Sequence, residues 1–200
     1  MTRISRRQLA PTGFAAATVL IVTLCLSACA ASQNATGTSD ALASPRQIEQ
    51  QTGEITIEDG YIEPGGSISA FDEQLPAIAK LTPELRAAVQ AAATAADRDC
   101  ITFVVTSGWR SAEYQQQLLD AATEKYGSLE EARKHVNTPE RSSHVTGDGV
   151  DIGYTDGYSW LGQHGARYGL CQTYTNESWH FELSTEPGGE CPPQKPNAAA

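Results

Sequence analysis

The sequence predicts an α+β domain, with a small and mostly antiparallel sheet and helices packed on one side of it. Apolar residues recur at helical spacing over residues 82–98, whereas residues 101–106 form a β-branched run that is typical of a buried strand. Two further apolar runs, 170–175 and 178–183, flank the turn residues Asn176-Glu177 and predict a hairpin. Helices combined with a hairpin and further strands are typical of the α+β class.

Capping residues give the expected starts of the helices. Thr82-Pro83-Glu84 supplies a capping hydroxyl, a proline at the first helical position and an acid in the first turn. Ser111 is expected to cap a second helix, and Ser128 and Glu131 form a capping box for a short third one. Beyond the third helix we expect a polar loop, a strand and a last helix, over residues 137–149, 150–152 and 156–168.

The amino terminus has the pattern of an export signal. Arg3, Arg6 and Arg7 precede an apolar segment, residues 14–26, that is too short to span a membrane. The segment ends in Leu-Ser-Ala-Cys, which resembles the bacterial lipobox and predicts lipid attachment to Cys29. The alternatives are a plain secretory peptide and an uncleaved anchor. Since residues 5–9 also resemble a twin-arginine signal, the export route stays open.

Composition and net charge limit the classes of molecule that the protein is expected to bind. The chain is 40% hydrophobic and 19% charged, which is ordinary for a globular protein, and its net charge is −10. Removal of the signal leaves 11 basic and 24 acidic residues, a net charge of −13. Such a surface argues against nucleic acid as a partner, because nucleic acid binding needs an excess of Lys and Arg. The oligomeric state is left open by the sequence.

The chain divides into four expected segments. A flexible tether, poor in apolar periodicity, follows the lipidated cysteine and leads into the folded part. The segments are a signal peptide (1–28), a tether and lead-in (29–71), a domain (72–193) and a tail (194–200). The protein is therefore expected to be an exported membrane lipoprotein that faces the cell wall or periplasm.

Three cysteines remain in the expected mature chain beyond Cys29: Cys100, Cys171 and Cys191. The number is odd, so one thiol stays free or pairs elsewhere. Cys171 and Cys191 flank the last apolar strands and are the favoured disulfide, which suits an oxidising compartment. The pairing of Cys100 is left open.

Two histidines and an aspartate form a candidate metal site. His144 and Asp151 bracket a glycine-containing loop that brings both side chains together, and His180 arrives from a distant strand. A catalytic zinc site uses three protein ligands and keeps one position open. Glu177 lies three residues before His180, and the two face opposite sides of an ideal strand. Glu177 can serve such a site only if a turn or bulge redirects it.

Three linked motifs resemble those of a known family. Ser-x-His-x-x-Gly-x-x-x-Asp (142–151) is followed by Glu-x-Trp-His (177–180) and preceded by Ser-Gly-Trp-Arg-Ser (107–111). In this order they resemble the VanY-like zinc D-Ala-D-Ala carboxypeptidases and their dipeptidase relatives, over about residues 75–193. The resemblance implies the small α+β peptidase fold shared with the hedgehog signalling domain. One departure is Gly149, where the family usually has alanine.

The resemblance also implies residue roles. One zinc ion would be bound by His144, Asp151 and His180. Glu177 would be the catalytic base, and Arg110 would stabilise the developing oxyanion and contact the substrate. Two further positions match substrate-contacting residues, namely Gln115 and Ser142.

The implied activity is removal of C-terminal D-alanine from peptidoglycan stem peptides by metal-activated water. Three alternatives stay open: a D-Ala-D-Ala dipeptidase, an L,D-carboxypeptidase acting on tetrapeptides, and a non-catalytic zinc-containing module that binds the cell wall. The binding module is disfavoured by Glu177 and Arg110, because a module that only binds has no need for a base beside the metal. The sequence gives no indication of a role in antibiotic resistance.

Overall fold

A four-stranded antiparallel sheet forms the centre of the fold. The computed structural model describes residues 53–200. The strands are β1 (Val104–Ser107), β2 (Gly149–Gly153), β3 (Leu170–Tyr174) and β4 (Glu177–Leu183), and they lie in the order β1-β2-β4-β3. All three strand pairs are antiparallel, and β3 and β4 form the predicted hairpin. The predicted α+β class is confirmed.

Six α-helices accompany the sheet in residues 53–200. They are α1 (Pro76–Ala79), α2 (Pro83–Arg98), α3 (Ala112–Tyr126), α4 (Leu129–Ala132), α5 (Ser143–Thr146) and α6 (Thr155–His164). Ser111 and Ser128 accept backbone hydrogen bonds at the starts of α3 and α4, whereas the predicted cap at Thr82 makes no side-chain hydrogen bond at the start of α2. None of the helices in this part of the chain is both long and apolar enough to cross a membrane.

The sheet has one apolar face, and α2 and α6 cover it. Val150 and Ile152 of β2 and Phe181 of β4 are fully buried there. They pack against apolar side chains of both helices, among them Leu85, Val89, Ala92, Trp160 and Leu161. Because side chains alternate along a strand, Asp151 and His180 point to the opposite face. That second face therefore carries the polar residues of the sheet.

Three predicted elements have different limits in the structure. The strand expected from residue 101 begins only at Val104. The amide of Ile101 donates to Ala96 O and ends α2, with Cys100 in the left-handed conformation at φ 58°, so Ile101 is not available to the sheet. The polar loop 137–149 contains α5, and the last helix continues after His164 as a 3-10 helix.

The folded unit extends beyond the predicted domain limits of 72 and 193. Ile68 exchanges two backbone hydrogen bonds with Val105 and covers the outer edge of β1. Lys195 pairs with Tyr174 at the outer edge of β3, and Ala198 is buried. Both flanking segments supply partners to strand edges that would otherwise be unpaired. The predicted signal peptide, Cys29 and the first part of the tether lie outside the described residues.

Cys171 and Cys191 form a disulfide, the pair that the sequence favours. The bond ties β3 to the chain twenty residues further on. Cys100 is a free thiol and is exposed. The disulfide thus fixes the start of the segment that leads from Cys191 to the outer edge of β3.

Candidate metal centre

Three buried side chains from separate elements converge on the polar face of the sheet. Asp151 and His180 are a cross-strand pair of β2 and β4, and His144 is on the short helix α5 beside them. Each offers one ligand atom, and these atoms lie within 4.8 Å of one another. All three residues are less than 10% exposed. The structure therefore brings together the predicted ligand set.

Hydrogen bonds at the outer nitrogens fix the orientation of both imidazole rings. His144 Nδ1 lies 2.7 Å from Gly108 O, a partner that requires Nδ1–H to donate. His180 Nε2 lies 2.9 Å from Glu182 Oε1, and here too the ring N–H donates. The remaining nitrogens, His144 Nε2 and His180 Nδ1, lie 3.4 Å and 2.9 Å from Asp151 Oδ1. These two nitrogens therefore face one centre, where each would offer its lone pair to a metal ion that displaces the proton.

The electrostatics of this cluster favour a bound cation. Burial by itself lowers the pKa of His180, but hydrogen bonds to Asp151 and Glu182 outweigh it and raise that pKa to about 9. Burial raises the pKa of Asp151, and the two histidines outweigh it and hold that pKa well below its usual range. A buried carboxylate that attracts a proton to its neighbour attracts a divalent cation by the same charge.

The packing around position 149 explains why this chain has glycine there. A Cβ at Gly149 would collide with Ser143 Oγ and lie 2.9 Å from His180 Cε1. Because Ser143 fills the place that an alanine side chain needs, the smaller residue is required here. The departure from the family's usual alanine therefore leaves the ligand geometry intact.

Arg110 is held rigidly beside the ligands. Its Nη2 donates to Asp151 Oδ2 at 3.2 Å, its Nε to Ser107 Oγ at 2.8 Å and its Nη1 to Gln115 Oε1 at 3.0 Å. Gln115 is 1% exposed and in turn donates to Asn137 O. Three of the five guanidinium N–H groups are thus engaged, and two remain for other acceptors.

A bulge brings Glu177 to the same pocket. In the β3–β4 ladder Gln172 pairs with Phe181, and the next pair is Tyr174 with Glu177. Three residues of β4 therefore stand opposite a single residue of β3. This irregularity redirects Glu177, which lines the same pocket as His180, as the sequence required of a base.

The carboxyl group of Glu177 is suited to carrying a proton. Burial raises its pKa to about 7, and the charge of Asp151 adds to that rise. The Oε1 atom is buried and has no hydrogen-bond partner among the described residues. A group whose pKa lies near neutral pH accepts and returns protons most effectively. Glu177 thus lines the same pocket as two of the candidate ligands, and its pKa suits proton transfer.

The pocket contains the other predicted residues and some that sequence analysis missed. Gln115 and Ser142 line it, and both are buried. Glu182 was missed, although it follows His180 by two positions and so shares its face of the strand. Asn137 and Ala198 also line the pocket, and no periodic pattern in the sequence pointed to either.

Comparisons with known proteins agree with this arrangement. The family profile of VanY, a D-alanyl-D-alanine carboxypeptidase, matches residues 78–187, which is more than half of the chain. The chain belongs to the VanY family. A D-alanyl-D-alanine carboxypeptidase of Enterococcus faecalis (strain ATCC 700802 / V583) is 30% identical, over 44% of this chain and 42% of the relative. The match thus spans less than half of that relative's length.

Solved structures with similarity to this VanY family member include a D,D-pentapeptidase and an LD-carboxypeptidase. The first is a mutant of the vancomycin resistance D,D-pentapeptidase VanY from the VanB-type resistance cassette in complex with Zn(II), at 25% identity and a TM-score of 0.48, covering 51% of this chain and 71% of that one. Another is the LdcB LD-carboxypeptidase, at 22% identity and a TM-score of 0.48, covering 53% and 60%.

Proposed function

We propose that this VanY family member is a zinc-dependent carboxypeptidase that removes C-terminal D-alanine from peptidoglycan stem peptides. The observation that carries the proposal is a cluster of three metal-ligand side chains, two of which, His144 and His180, line the same pocket as Glu177. Family membership supplies the substrate class. Hydrolysis needs both an electrophile and a base, and this pocket has residues for each.

The donor set suits one zinc ion. Two neutral imidazole nitrogens and one carboxylate oxygen are ligands that zinc prefers, and three protein ligands leave a position open. Bound there, zinc polarises the scissile carbonyl and lowers the pKa of water toward about 7. The outer hydrogen bonds to Gly108 and Glu182 already hold both rings in the orientation that binding needs.

Glu177 and Arg110 have separate roles in hydrolysis. Glu177 takes a proton from the attacking water and returns it to the nitrogen of the leaving D-alanine. Arg110 offers its two remaining N–H groups to the oxygen on which negative charge develops. Such a donor is worth roughly 3–4 kcal/mol of transition-state stabilisation. Since Arg110 is fixed by three hydrogen bonds, it needs little reorganisation to act.

The proposed location is the outer side of the membrane, with the chain anchored by lipid on Cys29. The support is the basic, apolar and Leu-Ser-Ala-Cys pattern of residues 3–29. An anchored enzyme reaches the stem peptides of the adjacent wall polymer. The disulfide between Cys171 and Cys191 suits the same compartment.

Product identification tests the substrate. The zinc-loaded protein is incubated with defined pentapeptide and tetrapeptide muropeptides and with free D-Ala-D-Ala, and products are identified by mass spectrometry. We expect loss of one alanine from the pentapeptide at the highest kcat/KM. Preference for the tetrapeptide would favour an L,D-carboxypeptidase, and preference for the dipeptide a dipeptidase. No release from any of them at full zinc occupancy would favour a wall-binding module.

Glu182 is expected to set zinc affinity through His180. Glu182→Ala removes the acceptor that directs His180 Nδ1 toward the metal, so zinc affinity should fall about 10–100-fold. Glu182→Gln keeps an acceptor oxygen and should recover most of that loss. Competition against a chromophoric chelator measures both variants. Unchanged affinity in Glu182→Ala would show that His180 needs no such partner.

A further inference from the structure

A short segment after the disulfide meets the free edge of the sheet. Residues 195–200 are here called the strap; Lys195 forms a parallel bridge with Tyr174 of the edge strand β3, and the residues after it bend and turn. Lys195 N donates to Thr173 O, and Thr175 N donates to Lys195 O, each at 2.9 Å. Thr175 Oγ1 also donates to Pro196 O at 3.0 Å. Lys195 therefore pairs with β3 through its backbone, as one residue of an added peptide strand does.

The strap places a side chain in the candidate active site. Ala198 is 5% exposed and lines the pocket that also contains Glu177, His180 and Arg110. The cavity that remains is about 40 Å³ and is partly open to solvent. Ala198 therefore takes up space beside the candidate catalytic groups that part of a bound peptide would otherwise fill.

Two polar atoms of the pocket that Ala198 also lines lack hydrogen-bond partners. Asn137 Oδ1 and Glu177 Oε1 are both buried, and neither has a hydrogen-bond partner among the described residues. A methyl group offers no donor, whereas the backbone of a bound peptide offers several N–H groups. The pocket is thus better complemented by a peptide than by the strap.

We propose that the edge of β3 and the adjoining pocket form the groove that binds the extended substrate peptide, and that the strap occupies this groove as an intramolecular competitor. The inference rests on the proposed function for the identity of that peptide. Thr173 O would then accept from the substrate backbone and Thr175 N–H would donate to it, as they now do with Lys195. The strap must leave before a stem peptide binds.

Kinetics of strap variants test the competition. Deletion of residues 195–200 from the zinc-loaded protein should lower KM for the pentapeptide with kcat unchanged. If the strap is docked about nine-tenths of the time, the fall is about tenfold. Ala198→Glu should have the same effect, because a second carboxylate beside Glu177 disfavours docking. The matched control Gln194→Glu adds the same charge at an exposed position just before the strap, and should leave KM unchanged.

Amide hydrogen exchange reports release of the strap in a protein that does not hydrolyse the peptide. Pentapeptide is added to zinc-loaded Glu177→Gln protein, and exchange is measured at two backbone amides. The Lys195 amide should exchange faster, because it loses Thr173 O, while the Thr175 amide stays protected by the incoming peptide.

Two results would overturn the inference. One is an unchanged or higher KM in the deletion variant with its circular dichroism intact, and the other is unchanged exchange at Lys195 on peptide addition. Absence of hydrolysis in every variant would count against the proposed function instead. In that case the exchange measurement still tests whether the peptide displaces the strap, because the measurement requires peptide binding and no hydrolysis.

Discussion

Glu177→Gln is expected to abolish turnover while zinc stays bound. The substitution keeps the size of the side chain but removes the group that accepts a proton, so kcat should fall about 10³-fold, within the 10²–10⁴ range for general acid–base catalysis. Zinc content should remain near one ion per chain, because His144, Asp151 and His180 are untouched. Steady-state kinetics with the preferred muropeptide and elemental analysis of the same preparation measure the two quantities.

The control for this variant is Glu190→Gln. It makes the same chemical change at an exposed position outside the pocket, and it should retain full activity. Loss of zinc from Glu177→Gln would show that Glu177 is a ligand rather than a base. Near-normal kcat with zinc bound would assign the proton transfer to another group.

His144→Ala is expected to remove both zinc and activity. The change deletes one of three ligands and leaves the carboxylate of Asp151 with one imidazole fewer. Zinc affinity should therefore fall by more than the about 10–100-fold expected for a residue that acts through a ligand, such as Glu182. Elemental analysis after dialysis and a competition titration measure the loss.

His164→Ala is the matched control for His144→Ala. His164 packs against Trp160 on α6, on the apolar side of the sheet, and is no part of the ligand cluster. Zinc content should stay unchanged in this variant, whatever its stability. Equal zinc loss from both variants would mean that general unfolding, and not a missing ligand, explains the result.

The ligand set was within reach of sequence analysis because its three residues lie in linked motifs that resemble those of a known family, and strand patterns agree with two of them. Strand alternation puts Asp151 and His180 on the face opposite the apolar core, and the buried runs around both residues marked them as strands. The requirement that Glu177 be redirected also followed from alternation alone. The bulge that fulfils it depends on the register between two strands, and register is a property of the assembled hairpin.

Segments whose position depends on pairing with the folded sheet could not be predicted from the sequence. Residues 195–200 contain three alanines and no strand pattern, so nothing in them predicts a partner. Their position follows from the free edge of β3, which exists only once the sheet is formed. The segment around Ile68 was underestimated for the same reason, since its role is to pair with β1.

The disulfide of Cys171 with Cys191 leaves only residues 192–194 between the covalent anchor and the start of the strap. A segment tethered by so few residues has an effective concentration at its binding site on the order of millimolar, and this value does not depend on the protein concentration. Soluble fragments at low concentration compete poorly against it. Under the proposed competition, stem peptides held at high local density along a glycan strand would displace the strap more readily than dilute soluble fragments.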